Sequence, residues 1–219
     1  MTLARRAMAD GLGTALLLAV VVGSGIMGEH LSGGNDALAL LANSLATGFA
    51  LVALILAFGP RSGAHFNPLV TVALALRKDF PGREIPAYVA AQVVGAVIGV
   101  IAAHAMFDLP VLQIGEKARF GVAQWWSEIV ATFGLVFVVL SCDAKRVPFA
   151  VGGYVAAAYW FTASTSFANP AVTLARGFTA TFSGIRPEDV AGFVLAQGIG
   201  AALALWADRT FFDGEKGAQ

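Results

Sequence analysis

The segment Ser62-Gly63-Ala64-His65-Phe66-Asn67-Pro68 has a counterpart in Ser166-Phe167-Ala168-Asn169-Pro170. Each leads into a short apolar segment, over roughly 68–76 and 170–180, which at about 1.5 Å per residue covers only half a bilayer. Asn is a strong N-cap and Pro is favoured at the first helical position, so each Asn-Pro pair predicts a helix start. One pair alone would indicate an ordinary helix. Two equivalent copies predict two half-membrane helices that begin inside the protein.

The composition of the chain is typical of a membrane protein. Of its 219 residues, 58% are hydrophobic and 13% are charged, whereas a soluble domain carries roughly 25% charged residues. Its 14 basic and 14 acidic residues cancel, so nothing indicates a nucleic-acid partner. The single cysteine, Cys142, excludes an internal disulfide and a cysteine-based metal site. His30, His65 and His104 share no motif, so neither a metal ion nor a cofactor is predicted.

Six segments are long and apolar enough to cross a bilayer, which requires roughly 20 helical residues. Each is predicted to be a helix, because lipid offers no other partner to the backbone amides of an open chain. Together with the two half-helices they predict an all-α transmembrane fold with the lipid bilayer as its partner. The predicted spans are 7–27, 38–58, 85–106, 124–141, 149–165 and 189–207.

The chain forms a single membrane domain with an internal repeat, one copy over about 1–108 and the other over about 120–210. Each copy holds three spans and one half-helix. An odd number of spans turns the second copy upside down, and such inverted repeats place their site near the midplane. The matched elements are Ala9–Thr14 with Ser127–Thr132, Asn67–Thr71 with Asn169–Thr173, and Tyr88–Gln92 with Phe193–Gln197.

Basic residues near the span ends indicate the orientation of the chain in a cell membrane. They are more numerous on the side of the termini, so both termini are predicted to be cytoplasmic. That side holds Arg5, Arg6, Arg61, Arg77, Lys78, Arg83, Lys145, Arg146, Arg209 and Lys216, and the other side holds Lys117, Arg119, Arg176 and Arg186.

In an inverted repeat the two half-helices meet head to head. Each N-terminus carries about half a positive charge and unsatisfied N–H donors, so two such ends at the midplane repel cations. Asn67 and Asn169 cap these ends, and their amides can donate to the oxygen of a passing water or hydroxylated solute. A central water that accepts from both Asn residues points its hydrogens away, which disfavours a proton-conducting wire.

Two acidic residues lie inside apolar helices, where charge is expensive. Asp10 and Glu128 could form a proton relay, but as a symmetric pair they are better interpreted as acceptors that brace the half-helix loops. Gln92 and Gln197 also occupy matched positions and are predicted to have a similar bracing or packing role.

The paired segments resemble the signature motifs of the aquaporin and aquaglyceroporin family: Ser-Gly-Ala-His-x-Asn-Pro at 62–68 and Asn169-Pro170-Ala171. The resemblance extends from Ala9 to about Trp206. It implies a right-handed bundle of six helices, one pore per subunit and a homotetramer. Two positions depart from the family pattern. Leu69 stands where Ala is usual and could narrow the pore, and Val172 stands where nearly all members have Arg.

Selectivity in this family is set by four positions on the outer side of the motifs. Spacing from the motif Asn residues maps them to Thr47, Ala157, Ser166 and Val172, where water-selective members resemble Phe, His, a small residue and Arg. With both the aromatic and the cation missing, we expect a wide constriction suited to small neutral polyols such as glycerol. This filter resembles a bacterial branch associated with arsenic resistance, which implies neutral arsenite as a further solute and a bacterial inner membrane.

Two further residues have open interpretations. Arg176 lies four residues after Val172 on the same helix face. It either extends to the outer headgroups or replaces the missing cation near the outer mouth. His65 either lines the pore, as the motif implies, or has a packing or gating role.

The sequence favours a passive channel for small uncharged solutes and water. A water-selective aquaporin is the nearest alternative. A proton-coupled secondary transporter also fits an inverted repeat, but it needs a charge that faces a cavity, and only Asp10 and Glu128 qualify. An enzyme is not indicated, since the sequence shows no catalytic residues: no metal cluster, no nucleophile with a base and no phosphate-binding loop.

Overall fold

A computed structural model describes residues 1–211, and over this range the chain contains helices and no strand. Lys216, one of the basic residues used to predict the orientation, lies outside the described residues. A single 3-10 turn, Gly82–Glu84, precedes the fourth helix. The α-helices are α1 Leu3–Leu31, α2 Asp36–Ser62, α3 Pro68–Leu76, α4 Ile85–Met106, α5 Val122–Ser141, α6 Val147–Phe161, α7 Pro170–Arg176 and α8 Pro187–Phe211.

The half-helices α3 and α7 begin where the Asn-Pro pairs predict. Asn67 caps α3 and Asn169 caps α7, each with a proline in the first turn. Helix α3 has 9 residues and α7 has 7, so neither can cross a bilayer. Helix α7 ends earlier than the sequence predicts, at Arg176 rather than near residue 180, because the chain leaves the helix in a turn at Gly177.

Five helices, α1, α2, α4, α5 and α8, are long and apolar enough to cross a membrane. Helix α6 is apolar but has only 15 residues. The predicted span 149–165 is therefore wrong at its end, since α6 stops at Phe161. Thr162 is extended, and Thr165 and Ser166 have φ of 61° and 51°, a left-handed conformation that cannot continue a right-handed helix.

Glycines allow the long helices to pack closely in matched pairs. Helix α1 lies along α4, and α5 lies along α8. A Cβ at Gly95 of α4 would collide with the carbonyl of Gly11, and a Cβ at Gly200 of α8 would collide with the carbonyl of Ile129. Such close backbone approach through small residues is typical of membrane helices.

The outer faces of the bundle are apolar, as a lipid-facing surface requires. Large hydrophobic side chains with more than half of their area exposed occur on helices from both halves of the chain. They include Leu12, Phe49, Ile98, Leu195 and Trp206. The polar groups lie inside, around the half-helices, and this arrangement is the reverse of a soluble domain.

Candidate functional site

The N-termini of α3 and α7 meet inside the bundle. The Asn67 Nδ2 donates to the carbonyl of Ala168 over 2.8 Å, and the Asn169 Nδ2 donates to the carbonyl of Phe66 over 2.8 Å. Each Asn thus holds the loop that precedes the opposite half-helix. A primary amide has two N–H groups, so each Asn keeps a second donor for an oxygen near the junction.

Asp10 of α1 braces the loop before α3. Its carboxylate accepts four hydrogen bonds of 2.8–3.0 Å, from the Ser62 hydroxyl, the backbone N–H groups of His65 and Phe66, and the Gln92 side-chain amide. Asp10 is completely buried. A buried carboxylate is tolerated only when its acceptor sites are filled in this way.

Glu128 of α5 braces the loop before α7 in the same pattern. Its carboxylate accepts from the Ser164 hydroxyl, the backbone N–H groups of Phe167 and Ala168, and the Gln197 side-chain amide, over 2.6–2.9 Å. Both glutamines also donate to a threonine hydroxyl of the half-helix that they support: Gln92 to Thr71 and Gln197 to Thr173. The geometry agrees with the bracing role expected of Asp10, Glu128, Gln92 and Gln197.

These braces hold the backbone in an energetically unfavourable conformation. Phe66 and Ala168, whose carbonyls accept from the two asparagines, have φ of 51° and 49°. Residues other than glycine rarely adopt this conformation, and it persists only where the surroundings hold it.

A cavity of about 100 Å³ runs past the junction of the half-helices. It can hold several waters, since one water needs roughly 10–15 Å³ by this measure. Apolar side chains form most of the wall, and His65, Asn67 and Asn169 contribute polar atoms. Asp10 and Glu128 do not line it, so neither is placed to relay a proton from the lumen. The apolar wall consists mainly of Leu17, Val21, Leu51, Ile55, Leu135, Val139, Val151 and Val155.

The cavity has two ends, which we name after the half-helix that flanks each. The α3 mouth includes Leu74 and Val147. The α7 mouth includes Thr47, Tyr159, Ser166, Val172 and Arg176.

Tyr159, rather than Ala157, faces the cavity at the α7 mouth. Ala157 is exposed on the outside of α6 and does not line the cavity, so its predicted place in the filter is wrong. Two residues along a helix correspond to about 200° of rotation, which carries Tyr159 to the opposite, inner face. Its hydroxyl lies 3.3 Å from that of Thr47. The filter region therefore has an aromatic side chain that spacing from the motif missed.

Three filter positions predicted from spacing do line the cavity: Thr47, Ser166 and Val172. Ser166 is 4% exposed, and its hydroxyl has no hydrogen-bond partner in the part of the chain that the structure describes. A buried hydroxyl without a protein partner is costly unless water or a solute supplies one.

Leu69 does not narrow the cavity. It is half-buried, packs on the side of α3 that faces α5 and α8, near Val136 and Ala201, and does not line the cavity. The other motif residues are structural: Pro68 and Pro170 start the half-helices, and Ala171 is buried against the core.

Arg176 does not extend to the headgroups. It is 2% exposed, and its guanidinium carbon lies 3.4 Å from the centre of the Phe167 ring. Its Nε donates to the carbonyl of Ser183. Of the two interpretations that the sequence left open, the one that places this side chain at the headgroups is therefore wrong.

His65 both lines the cavity and packs in an aromatic group near the α3 mouth. Its Nδ1 lies 3.1 Å from the Thr71 hydroxyl. Its ring lies 4.9 Å from that of Phe80 and 5.2 Å from that of Tyr88, centre to centre.

The family model for the major intrinsic proteins matches residues 1–149. The aquaglyceroporin AqpS of Rhizobium meliloti is 57% identical over 206 residues, which cover 93% of this chain and 88% of that protein.

This chain belongs to the major intrinsic protein family.

Two more distant proteins are also similar to this chain. The glycerol uptake facilitator protein of Bacillus subtilis is 36% identical over 102 residues, 41% of this chain and 37% of that protein. The crystallographic structure of the aquaglyceroporin from Plasmodium falciparum superposes with a TM-score of 0.76, covers 97% of this chain and 98% of its own, and is 17% identical. That likeness shows the fold. As a major intrinsic protein, the chain is a multi-pass membrane channel.

One feature of this major intrinsic protein gave no signal in the sequence. Arg119, in the loop before α5, is 5% exposed, and its guanidinium carbon lies 4.7 Å from the same Phe167 ring that Arg176 contacts. Burial lowers the pKa of Arg119 to about 10, and the charge of Glu128 opposes this decrease, so the guanidinium remains charged at neutral pH. A single Arg in a polar loop has no periodicity or motif that would reveal its burial.

Proposed function

We propose that this channel conducts small neutral polyols, glycerol-like molecules first, together with water. The observation that carries the proposal is the mixed lining of the cavity. Aliphatic side chains form most of it, and a few polar atoms from Asn67, Asn169 and the α7 mouth form the rest. A polyol has a carbon side and an oxygen side, so it matches such a wall without losing all of its hydrogen bonds.

Neutral arsenite belongs to the same solute class in this proposal. It is a trihydroxyl molecule of glycerol-like shape, and it would meet the same aliphatic wall and the same Asn donors. The 57% identity to a protein named an aquaglyceroporin supports the solute class as a whole.

The proposal includes the setting of the channel. It is a homotetramer with one pore per subunit. It lies in the inner membrane of a bacterial cell, and both termini are on the cytoplasmic side. The α3 mouth then faces the cytoplasm and the α7 mouth faces outward. Transport is passive and no catalysis takes part, and the two halves of the chain act as an inverted repeat.

A water-selective channel is the second candidate. The presence of Tyr159 and Arg176 at the α7 mouth favours it, because an aromatic ring and a cation make that mouth narrower and more polar than Thr47, Ser166 and Val172 alone. The solute that passes this mouth therefore decides between the two candidates.

Stopped-flow light scattering on proteoliposomes tests the proposal, with glycerol-driven reswelling and osmotic water flux measured on the same preparation. We expect fast glycerol entry in the wild type. Val172→Arg should slow glycerol entry by roughly tenfold and water flux by less, since a long cation would occupy the space that a polyol needs. Val172→Ile, which adds one methylene without charge, is the matched control and should change both fluxes little.

Fast water flux without glycerol entry in the wild type would replace the polyol channel by the second candidate. Flux that saturates with solute or follows a proton gradient would contradict both, because it would indicate a coupled transporter.

A further inference from the structure

Arg176 has unused hydrogen-bond donors at the α7 mouth. Within residues 1–211 its Nε has one acceptor, the Ser183 carbonyl, and its two Nη nitrogens have none. These nitrogens are not sealed in the protein, and Arg176 lines the cavity. A guanidinium has five N–H groups, so four of those of Arg176 have no acceptor within residues 1–211.

Arg176 makes no ion pair with a carboxylate in the described part of the chain. Among the described residues no Asp or Glu side chain lies within ion-pair distance of Arg176 or of Arg119. The Phe167 ring, 3.4 Å from Arg176 and 4.7 Å from Arg119, provides cation–π contact instead. A buried charge without an ion-pair partner is expensive, and its field extends into the adjoining cavity.

Arg119 stabilises the loop around Phe167 without lining the cavity. Its Nε donates to the Gly184 carbonyl and its Nη1 to the Ser164 carbonyl, and it does not line the cavity. Both guanidiniums therefore fix the loop around Phe167, but only Arg176 faces the path of a solute.

Arg176 lies one helical turn beyond Val172 along α7. The two residues are four apart on α7, so Arg176 lies about 6 Å further out on the same face. Ser166, whose buried hydroxyl has no partner among residues 1–211, lines the same mouth. Val172 leaves the lumen beside it uncharged, and the nearest lumen-facing cation along α7 is one turn away.

We propose that Arg176 is the selectivity-determining cation of this channel, excluding cations at the α7 mouth while its free N–H groups bind oxygens of neutral solutes. This inference rests on the proposed conduction of neutral solutes. Separating the charge from the level of Val172 leaves room there for a polyol and keeps an electrostatic barrier one turn further out.

The test compares neutral and conservative variants of the full chain in proteoliposomes. Arg176→Gln keeps a donor for the Ser183 carbonyl, Arg176→Met keeps the side-chain length, and Arg176→Lys keeps the charge. Each preparation is assayed for glycerol entry by light scattering, and for proton entry down an imposed pH gradient with a trapped pH-sensitive dye. Empty liposomes set the background.

We expect both neutral variants to conduct glycerol and to admit protons at rates roughly tenfold or more above background, because a unit charge near the path raises the barrier for a cation. Arg176→Lys should stay near background. Adding Val172→Arg to the Arg176→Gln chain should restore background cation entry, since it returns a cation to the lumen one turn away.

Cation entry at background in a glycerol-conducting Arg176→Gln or Arg176→Met channel would overturn the proposal, because the paired half-helix ends would then suffice. If only the Arg and Lys forms fold, the proposal also fails, since the charge then serves folding. In either case wild-type glycerol entry still decides the proposed function separately.

Discussion

The loops before α3 and α7 are held alike, whereas the mouths beside them differ. Asp10 and Glu128 each accept from a serine hydroxyl, two consecutive backbone N–H groups and a glutamine amide. At the α3 mouth the loop carries His65 in an aromatic group with Phe80 and Tyr88.

At the α7 mouth the corresponding loop carries Phe167 between two buried guanidiniums. Tyr159 lies nearby, as does the Ser166 hydroxyl, which has no partner in the described part of the chain. The two loops are therefore braced in nearly the same way, and the polar chemistry is concentrated at one end of the cavity. Solute discrimination should therefore depend on the α7 mouth, and folding should depend on both halves equally.

The largest effect should come from breaking either brace. Asp10→Asn and Glu128→Gln each replace one accepting carboxylate oxygen by an NH2 group, which cannot accept a hydrogen bond from the loop. Each should therefore lower the free energy of unfolding by about 3 kcal/mol or more. The measurement is the thermal transition and the monodisperse yield in detergent. We expect both variants to lower the transition temperature and the yield by similar amounts.

Gln124→Ala is the control for the brace on α5. Gln124 lies one turn before Glu128, and its side chain donates to the Ala163 carbonyl from a more accessible position, so its loss should change the transition little. If Glu128→Gln failed to fold while Asp10→Asn kept the transition temperature of the wild type, the two loops would not be equivalent.

The glycine contacts between the long helices allow the two halves of the chain to be compared again, with a smaller expected loss of stability. Gly95→Ala and Gly200→Ala would each drive a methyl group into the backbone of the facing helix, and overpacking of this kind costs about 1–3 kcal/mol. We expect both to lower the transition temperature by similar amounts.

Gly198→Ala is the matched control in α8. Its added methyl group would meet no atom within 4 Å, and alanine favours a helix over glycine by up to about 1 kcal/mol. It should therefore be neutral or stabilising. A harmless Gly95→Ala would mean that α1 and α4 are not packed as closely as α5 and α8.

Local patterns made much of this structure predictable. Each Asn-Pro pair encodes its helix start in adjacent residues, and both half-helices begin there. Asp10 and Glu128 could be interpreted as braces because a charge inside an apolar helix needs internal partners, and the repeat supplied the same partners twice.

The α7 mouth was less predictable, because it depends on contacts between distant segments. Gap-free spacing placed Ala157 in the filter. However, α6 ends at Phe161, and a count from Asn169 back through the irregular residues does not find the inward face of α6, where Tyr159 lies. The burial of Arg176 depends on Phe167 and on the Ser183 carbonyl. No pattern within α7 encodes those partners.

The glycerol-to-water permeability ratio tests most directly whether discrimination depends on the α7 mouth. Tyr159→Ala opens the α7 mouth and Leu74→Ala opens the α3 mouth, while Ala157→Leu adds bulk on the outside of α6 as a control. We predict that Tyr159→Ala raises the ratio by roughly twofold or more, because the larger solute gains most from a wider constriction. Leu74→Ala and Ala157→Leu should leave the ratio unchanged. An equal rise in Leu74→Ala, or an unchanged ratio in Tyr159→Ala, would contradict the account.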